Sequence, residues 1–394
     1  MTGLFGALEA PAPDPIIKLM GAFAADPRPD KIDLGVGVYR DAAGRTPVMA
    51  AVAAAEARIL AAQDTKGYLG LAGDPAFLSA MAGLLLGAVP ERMAAVATPG
   101  GSGAIRQLLE LVRLARPGAT VWISRPNWPN HAAIADALGL RLREHAWLGA
   151  AGAVDMDAVL ADLGGSGTGA VAGDVVVVHA SCHNPSGADM GPEGWAALAD
   201  LCAERGLVPL VDVAYQGFGE GVAEDVAGLR LMAARLPEVL VAASGSKSFG
   251  LYRERVGLAL ALTDRPAAVA AALASLNRKN YAFPPDHGAR VVTTILTDPV
   301  LRADWQTELD AMRHRIAANR TALADALAEA TGTERFAFLT RQRGMFSVLG
   351  LARDQIARLR TEHGVYLVED GRANLAGLTP ATIPATARAI AATV

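Results

Sequence analysis

Hydrophobic positions along the chain alternate between stretches with helical spacing and short apolar runs. The helical patterns cover residues 49–63, 75–86, 103–115, 131–138 and 192–205. The short runs, each ended by turn or polar residues, cover residues 120–124, 174–179, 208–213, 239–243 and 256–262. Residues 175–178 are consecutive valines, as in a strand that helices cover on both faces. Strands separated by helices of this length form βαβ units, so we predict an α/β protein with a mostly parallel sheet.

The two ends of the chain differ from this central part. The N-terminal segment is rich in proline and glycine, which predicts an extended arm with one short helix near residues 16–24. Residues 300–330 have a continuous helical pattern, and a shorter α/β segment follows that includes 336–339 and 344–349. We therefore predict three parts, which are an N-terminal arm that joins a small domain (1–47), a large domain (48–300) and a C-terminal small domain (301–394). The glycine-rich residues 164–173 are predicted to form a loop.

The composition argues against several classes of protein. Of the 394 residues 52% are hydrophobic, and the formal net charge of −4 is untypical of a nucleic-acid-binding protein. We expect no membrane span and no signal peptide, because no apolar stretch is long enough and the N-terminus lacks a basic segment followed by an apolar run. Two cysteines, Cys182 and Cys202, make no disulfide framework, so we predict a cytoplasmic protein.

Three consecutive predicted strands end in side chains that carry chemistry. Residues 183–187, with Asn184, follow the first of these strands, Asp212 and Tyr215 end the second, and Lys247 follows the third between hydroxyl groups. In an open parallel sheet, ligands bind beyond the carboxyl ends of the strands. We therefore expect an amide, a carboxylate, a phenol and an amine to lie close together.

These groups match the needs of pyridoxal phosphate. The cofactor needs a lysine for its aldehyde, an acid that keeps its ring nitrogen protonated, and donors for its phenolic oxygen and phosphate. The aldehyde requirement is met by Lys247, the acid by Asp212, and the donors for the phenolic oxygen by Asn184 and Tyr215. The chain contains only five lysines, so few others could act as the amine. Each of these residues alone is ordinary, since a single Asp at a strand end is most often a cap or an ion-pair partner. Their joint order indicates the cofactor.

With these residues the chain resembles the class I aminotransferases of the type I pyridoxal-phosphate fold. It is most similar to the branch that holds aspartate and aromatic amino acid aminotransferases, and the resemblance covers nearly the whole chain. The matching segments are LGVGVYRD (34–41), YLG (68–70), TPGGSGA (98–104), RPNWPNH (125–131), CHNPSG (182–187), DVAYQGF (212–218), SGSKSFGLYRERVG (244–257), NYAFPP (280–285), GMFS (344–347) and GRANLAG (371–377).

The resemblance implies a role for each residue that matches a family motif. Lys247 would bind the cofactor covalently and move the substrate proton, and Asp212 would be supported by His131 and His179. The phosphate would be bound by Gly101, Ser102, Ser244, Ser246 and Arg255. Trp128 would stack on the cofactor ring and, with Asn184, Gly37 and Arg372, would contact the substrate, whose α-carboxylate Arg372 would bind. Tyr68, which acts in catalysis and cofactor binding, and Arg278 would come from the neighbouring subunit, so the resemblance implies a homodimer with shared active sites. No metal is implied.

Two positions bear on the substrate. Arg278 matches the family arginine that pairs with the distal carboxylate of aspartate or glutamate, whereas Phe283 stands where aspartate-preferring relatives tend to carry asparagine. We therefore favour an aromatic amino acid aminotransferase that also accepts aspartate and uses 2-oxoglutarate as the acceptor.

Other interpretations remain open at this point. They are an aspartate aminotransferase with narrow dicarboxylate specificity, a decarboxylase or lyase, and a non-catalytic binding protein with the same fold. Arg372 argues against decarboxylation, because a tightly bound α-carboxylate is hard to lose. The chain also departs from the family pattern at Gly245, where relatives usually carry a side chain, and this leaves the local packing open.

Overall fold

The computed structural model of the protein describes residues 3–10 and 14–394. Eleven strands lie in this part of the chain: β1 (Ile32–Asp33), β2 (Met93–Pro99), β3 (Thr120–Arg125), β4 (Arg141–Ala146), β5 (Val175–His179), β6 (Val208–Val213), β7 (Val239–Ser244), β8 (Val256–Leu262), β9 (Phe346–Val348), β10 (Val365–Tyr366) and β11 (Arg372–Asn374). Seven of them form the main sheet in the order β2-β8-β7-β6-β5-β3-β4. Neighbours from β7 to β4 are parallel, and β8 is antiparallel to both β2 and β7. The prediction of a mostly parallel sheet is confirmed.

Thirteen α-helices accompany these strands in the described residues: α1 (Pro15–Ala25), α2 (Ala50–Ala62), α3 (Pro75–Leu86), α4 (Gly100–Ala115), α5 (Pro129–Ala137), α6 (Met156–Gly164), α7 (Pro192–Arg205), α8 (Ala227–Arg235), α9 (Pro266–Asn280), α10 (His287–Thr297), α11 (Pro299–Thr331), α12 (Arg353–His363) and α13 (Ile383–Ala391). Short 3₁₀ turns cover Glu224–Val226, Ala337–Thr340 and Leu375–Gly377. None of these helices is both long and apolar enough to cross a lipid bilayer.

Apolar helices cover both faces of the main sheet. Side chains alternate along a strand, so Val176 and Val178 of β5 join one hydrophobic cluster and Val175 and Val177 join another. The first cluster contains residues of α2, α3, α7, α8, α10 and the first half of α11, and the second contains residues of α4, α5 and α9. Burial on both faces explains why β5 begins with four consecutive valines.

A separate hydrophobic cluster lies in the C-terminal part of the chain. It contains residues of β1, α12, β10, β11, α13 and the second half of α11. β1 pairs with β10 in parallel, so the N-terminal segment joins this part of the fold. Helix α11 contributes residues both to this cluster and to the first cluster of the main sheet. The predicted domain boundaries at residues 48 and 301 therefore stay a prediction.

The sequence explains where α11 begins and ends. The side chain of Asp298 accepts hydrogen bonds from the backbone N–H groups of Val300 and Leu301, and Pro299 occupies the first turn. At the other end Gly332 adopts a left-handed conformation with φ 67°, which glycine allows without a steric penalty. The predicted helix at 300–330 is therefore confirmed to within one residue at each end.

Other elements escaped the sequence patterns. The edge strand β4 has the sequence RLREHA and is mostly exposed, so no apolar run marks it. Strand β2 is rich in alanine and resembles the neighbouring helices in composition. Helix α4 begins at Gly100, three residues before the predicted start, because the glycines of TPGGSGA lie within its first turn and not in a preceding loop.

Candidate active site

A cavity of about 180 Å³ lies at the carboxyl ends of β5, β6 and β7, where ligand binding was expected. Its lining consists of Gly37, Gly101, Ser102, Trp128, His179, Asn184, Asp212, Ala214, Tyr215, Ser244, Ser246, Lys247, Tyr252 and Arg255. This set contains all of the residues predicted to act in catalysis or to bind cofactor or substrate except Tyr68, Arg278 and Arg372. The cavity therefore brings together residues that lie between positions 37 and 255 of the chain.

Asp212 is the buried carboxylate of the cavity. Its Oδ2 atom lies 3.0 Å from Nε2 of His131 and 4.0 Å from Nε2 of His179. Burial opposes the ionisation of Asp212, but the hydrogen bond with His131 and the proximity of His179 and Lys247 hold its pKa below the ordinary value. Within residues 3–10 and 14–394 its Oδ1 atom has no hydrogen-bond partner, so an ionised oxygen is left for a ligand N–H group.

His131, His179 and Asp212 are residue types that can bind metals, and one ligand atom from each lies within 4.8 Å of the others. His179 is deeply buried, and burial holds its pKa well below the ordinary value, so its imidazole is neutral. The contact between His131 and Asp212 is a direct hydrogen bond, which orients the carboxylate without an ion. Both histidines thus lie beside Asp212, and their supporting role stays a prediction.

Lys247 follows β7 and is partly exposed to the cavity. Its Nζ atom lies 5.0 Å from the centre of the Tyr215 ring. Burial lowers the pKa of Lys247; the negative charge of Asp212 acts against this shift, and the positive charges of Arg255 and Arg372 add to it. A neutral amine is the form that attacks an aldehyde and accepts a proton, so these surroundings favour both reactions.

The first turn of α4 and the two hydroxyls around the end of β7 form an anion-binding cup. The N–H groups at the start of a helix have no partner within the helix and carry partial positive charge. Ser244 Oγ donates to Ser246 Oγ at 3.0 Å, and Arg255 lies across the helix start. Gly100 has φ +73°, and a β-carbon there would lie 2.5 Å from Arg255 Nη2, so a side chain would displace the guanidinium. The cup suits a phosphate.

Asn184 connects the ring-oxygen site with the predicted carboxylate site. Its Nδ2 atom donates to the Tyr215 hydroxyl at 3.3 Å, and its Oδ1 atom accepts from Arg372 Nη1 at 3.5 Å. Arg372 in β11 is buried beside the cavity, where its Nη2 atom also donates to the Gly35 carbonyl at 3.0 Å. Its Nε atom is buried without a partner in the described residues. A buried cation with an unpaired donor suits a carboxylate ligand.

Two residues in the cavity lining were not singled out from the sequence. Ala214 lies between Asp212 and Tyr215 and offers no functional group. The hydroxyl of Tyr252 accepts a hydrogen bond from the Tyr39 N–H at 3.0 Å, and burial raises the pKa of Tyr252 to about 12. The sequence could have indicated Tyr252 through its place in the SGSKSFGLYRERVG motif. It was missed because it does not lie at a strand end. Tyr252 ties the segment that contains Gly37 to the wall of the cavity.

Tyr68 and Arg278 lie outside the cavity of their own chain. Tyr68 is 86% exposed and stacks on Phe283, with ring centres 4.7 Å apart. Both rings line a larger hollow of about 470 Å³ along residues 63–74 and 283–290, which contains neither Lys247 nor Asp212. Arg278 is exposed in the last turn of α9. The larger hollow is therefore distinct from the cavity that holds the chemistry.

The departure at Gly245 has a local explanation. A β-carbon at this position would lie 3.1 Å from Val256 Cβ and 3.6 Å from Phe249 Cδ2. The first distance is shorter than ordinary van der Waals contact. Val256 therefore occupies the space that a side chain at position 245 needs.

The fold and this cavity define a pyridoxal-phosphate-dependent aminotransferase. The family described as aminotransferase class I and II matches residues 29–390, and the chain belongs to this family. The residues present fit the cofactor, since an unpaired carboxylate oxygen, an amine of lowered pKa and an anion cup lie in one cavity.

Individual relatives are similar over almost their whole length. The chain is 49% identical to the aromatic-amino-acid aminotransferase of Paracoccus denitrificans, over 98% of this chain and 99% of that protein. It is 44% identical to the aspartate aminotransferase of Salmonella typhi, over 99% of this chain and 100% of the relative. A crystal structure of the aromatic-amino-acid aminotransferase from Burkholderia pseudomallei, covalently bound to pyridoxal phosphate, matches with a TM-score of 0.95 and 41% identity, over 99% of both chains.

Proposed function

We propose that this enzyme transfers the amino group of phenylalanine, tyrosine or tryptophan, and also of aspartate, to 2-oxoglutarate. The observation that carries this proposal is the convergence of Lys247, Asp212 and the anion cup in one cavity, with the buried Arg372 beside it. The aromatic-amino-acid relative at 49% identity supports the aromatic donors, and the aspartate aminotransferase at 44% supports the dicarboxylate.

Each residue has a defined task in this reaction. Bound pyridoxal phosphate supplies an electron sink for the charge that develops at the substrate Cα. Asp212 is hydrogen-bonded to His131 and would keep a proton on the ring nitrogen, and Asn184 and Tyr215, which are bonded to each other, would hold the ring oxygen. Lys247, whose pKa is lowered by burial, accepts the Cα proton and returns it to the cofactor side.

Other side chains bind and orient. The anion cup holds the phosphate through Ser244, Ser246, Arg255 and the N-terminus of α4, which carries Gly101 and Ser102. Trp128 lines the cavity and would cover one face of the cofactor ring, since an aromatic side chain suits a flat ligand. Arg372 would bind the substrate α-carboxylate through two parallel hydrogen bonds, and Gly37 would lie over the substrate.

We further propose that the active unit is a homodimer in the cytoplasm. Tyr68 is almost fully exposed and Arg278 is exposed at a helix end, so neither serves the cavity of its own chain. In a homodimer, a second copy supplies both to the cavity, with Tyr68 at the cofactor and Arg278 at the distal end of the substrate. Both cysteines are free and buried, in keeping with a reducing compartment.

A substrate panel with an Arg278→Leu variant tests the proposal. We expect wild type to use phenylalanine, tyrosine, tryptophan and aspartate. In Arg278→Leu the kcat/KM for aspartate should fall by about 10²- to 10³-fold, since the distal carboxylate loses its partner, while that for phenylalanine changes little. Lys279→Leu, which removes the neighbouring exposed charge, is the matched control.

Two results would count against this specificity. Equal losses for both substrates in Arg278→Leu would show that the arginine does not discriminate between them. A wild-type enzyme that uses aspartate but no aromatic donor would instead be an aspartate aminotransferase of narrow specificity, which is the second candidate.

A further inference from the structure

The GMFS segment (residues 344–347) has no task in the function proposed so far. It contains the first residues of β9, which pairs with β11, so that Phe346 lies opposite Asn374 and Ser347 opposite Ala373. The Phe346 ring faces the site, since the guanidinium carbon of Arg372 lies 4.6 Å from its centre. The ring also lies against Gly37, where an added β-carbon would be 2.7 Å from Cζ. Phe346 thus touches two residues that are predicted to contact substrate.

A single buried arginine holds this segment in place. Arg320 in α11 is 2% exposed, and its Nη2 atom donates to the carbonyls of Gly344 at 2.7 Å and Phe346 at 2.6 Å. Further bonds run from its guanidinium to the carbonyls of residues 339 and 343 and to Ser347 Oγ at 2.7 Å. Burial lowers the pKa of Arg320 to about 10, so it is charged at neutral pH. No carboxylate in the described ranges forms an ion pair with it.

This arrangement is unusual for a structural arginine, because a buried charge is normally paired with an acid. Here backbone carbonyls take the place of the acid, and they all belong to one short segment. The planar fork of the guanidinium fixes several carbonyls in one geometry, which an ammonium with a different donor arrangement does not reproduce.

The same cluster reaches the loop that carries Asn184. The Arg343 N–H donates to the Gly187 carbonyl at 2.8 Å. Gly187 has φ +70°, and a β-carbon there would lie 2.4 Å from the Phe346 carbonyl oxygen and 3.0 Å from Arg320 Nη2. The two loops therefore pack backbone to backbone around the guanidinium.

We propose that Arg320 is a positioning residue for the substrate carboxylate site. It holds the Phe346 backbone so that the Phe346 ring supports the face of Arg372 and closes the site against Gly37. The attraction between a guanidinium and an aromatic face orients Arg372, whose Nε atom remains free for the ligand. The inference rests on the proposed role of Arg372 in binding the α-carboxylate.

The test compares Arg320→Met, Arg320→Lys and Phe346→Leu with wild type, all loaded with cofactor. The probe is 3-phenylpropionate, which has a carboxylate and an aromatic ring but no amino group, and its Kd is measured by calorimetry. We expect Arg320→Met to raise this Kd and the KM for phenylalanine by about 10- to 100-fold, because a misplaced binding group loses most of its contact. kcat should change less, since Lys247 and Asp212 are not disturbed.

Conservative and combined variants sharpen the result. In Arg320→Lys the Kd should lie between those of wild type and Arg320→Met. Phe346→Leu removes the ring face and should raise the Kd in the same way. If Arg320 acts through Phe346, the Kd of the double variant Arg320→Met/Phe346→Leu should be no higher than the higher of the two single-variant Kd values.

A control separates positioning from general stability. Arg205→Met also removes an arginine that binds backbone carbonyls, those of Gly164 and Ala170, but far from the cavity. It should lower the thermal stability and leave Kd and KM unchanged.

Three results overturn the inference: an unchanged Kd in a folded Arg320→Met, multiplicative effects in the double variant, or an equal rise of Kd in Arg205→Met. If Arg320→Met does not fold, Arg320→Lys decides, and a Kd within twofold of wild type overturns the inference. A wild-type enzyme that turns over none of the proposed amino acids would instead contradict the proposed function itself.

Discussion

The cavity around Lys247 and the hollow beside Tyr68 differ in how complete a binding site a single chain forms. The cavity contains the amine, the carboxylate and the anion cup, all fixed by strand ends and by the start of a helix. The hollow presents two stacked rings to solvent, with Tyr68 86% exposed. The contrast teaches that one chain carries the groups of the common chemistry, while the residue proposed to discriminate between substrates, Arg278, lies on its exposed surface.

The largest expected effect comes from the cavity itself. Lys247→Ala removes the amine that binds the cofactor and moves the Cα proton, so kcat for transamination should fall by at least about 10⁴-fold. The change is measured by coupled assay, with cofactor content determined on the same sample. Lys279→Ala, which removes an exposed lysine, should retain full activity. A Lys247→Ala enzyme with more than a few per cent of wild-type kcat would refute the assignment.

A mixing experiment tests whether the exposed hollow completes the cavity of another chain. Tyr68→Ala should lose about 10- to 100-fold in kcat/KM as a homodimer, because the cofactor loses a contact. When it is unfolded and refolded together with Lys247→Ala, each mixed dimer should contain one site with both native residues. Activity should then exceed the sum of the two separate variants. If the mixture gives only that sum, Tyr68 does not act across subunits.

The charges around Lys247 predict a smaller effect on pH dependence. In the apoenzyme, the rate at which an uncharged amine-modifying reagent reacts with Lys247 is measured against pH. The midpoint of this curve should lie below the ordinary lysine pKa of 10.5, because burial and two arginines disfavour the ammonium form. Arg372→Met removes one positive charge, so the pKa of Lys247 rises and the midpoint moves to higher pH. Lys247→Ala gives the background rate. A midpoint that stays in place or moves to lower pH would contradict this account.

The sequence predicted the centre of the cavity because Asn184, Asp212 and Lys247 lie at or just after the ends of three buried strands. The strands β5, β6 and β7 are apolar up to His179, Asp212 and Ser244, and polar side chains at such strand ends must gather at one edge of a parallel sheet. Arg372, far along the chain, could be placed only through its resemblance to a family motif.

Features that depend on tertiary packing were not predictable in the same way. The binding of Arg320 to the carbonyls of residues 339–346 leaves no trace in sequence spacing, since backbone acceptors exist at every position. The helix pattern at 300–330 suggested only that Arg320 lies on a long helix. Likewise, the contact of Tyr252 with Tyr39 joins segments more than two hundred residues apart.

Helix α11 has a mechanical consequence for any closing movement of the enzyme. Its 33 residues contain no glycine and no proline after the first position, so it lacks the usual points at which helices kink. Trp305 and Leu309 anchor its first half beneath the main sheet, whereas Leu323 and Leu327 anchor its second half in the C-terminal cluster. The helix therefore joins the two clusters as one stiff element, and the bonds of Arg320 fix the segment that carries Phe346 to its second half, so that a tilt of the C-terminal cluster would carry this segment with it.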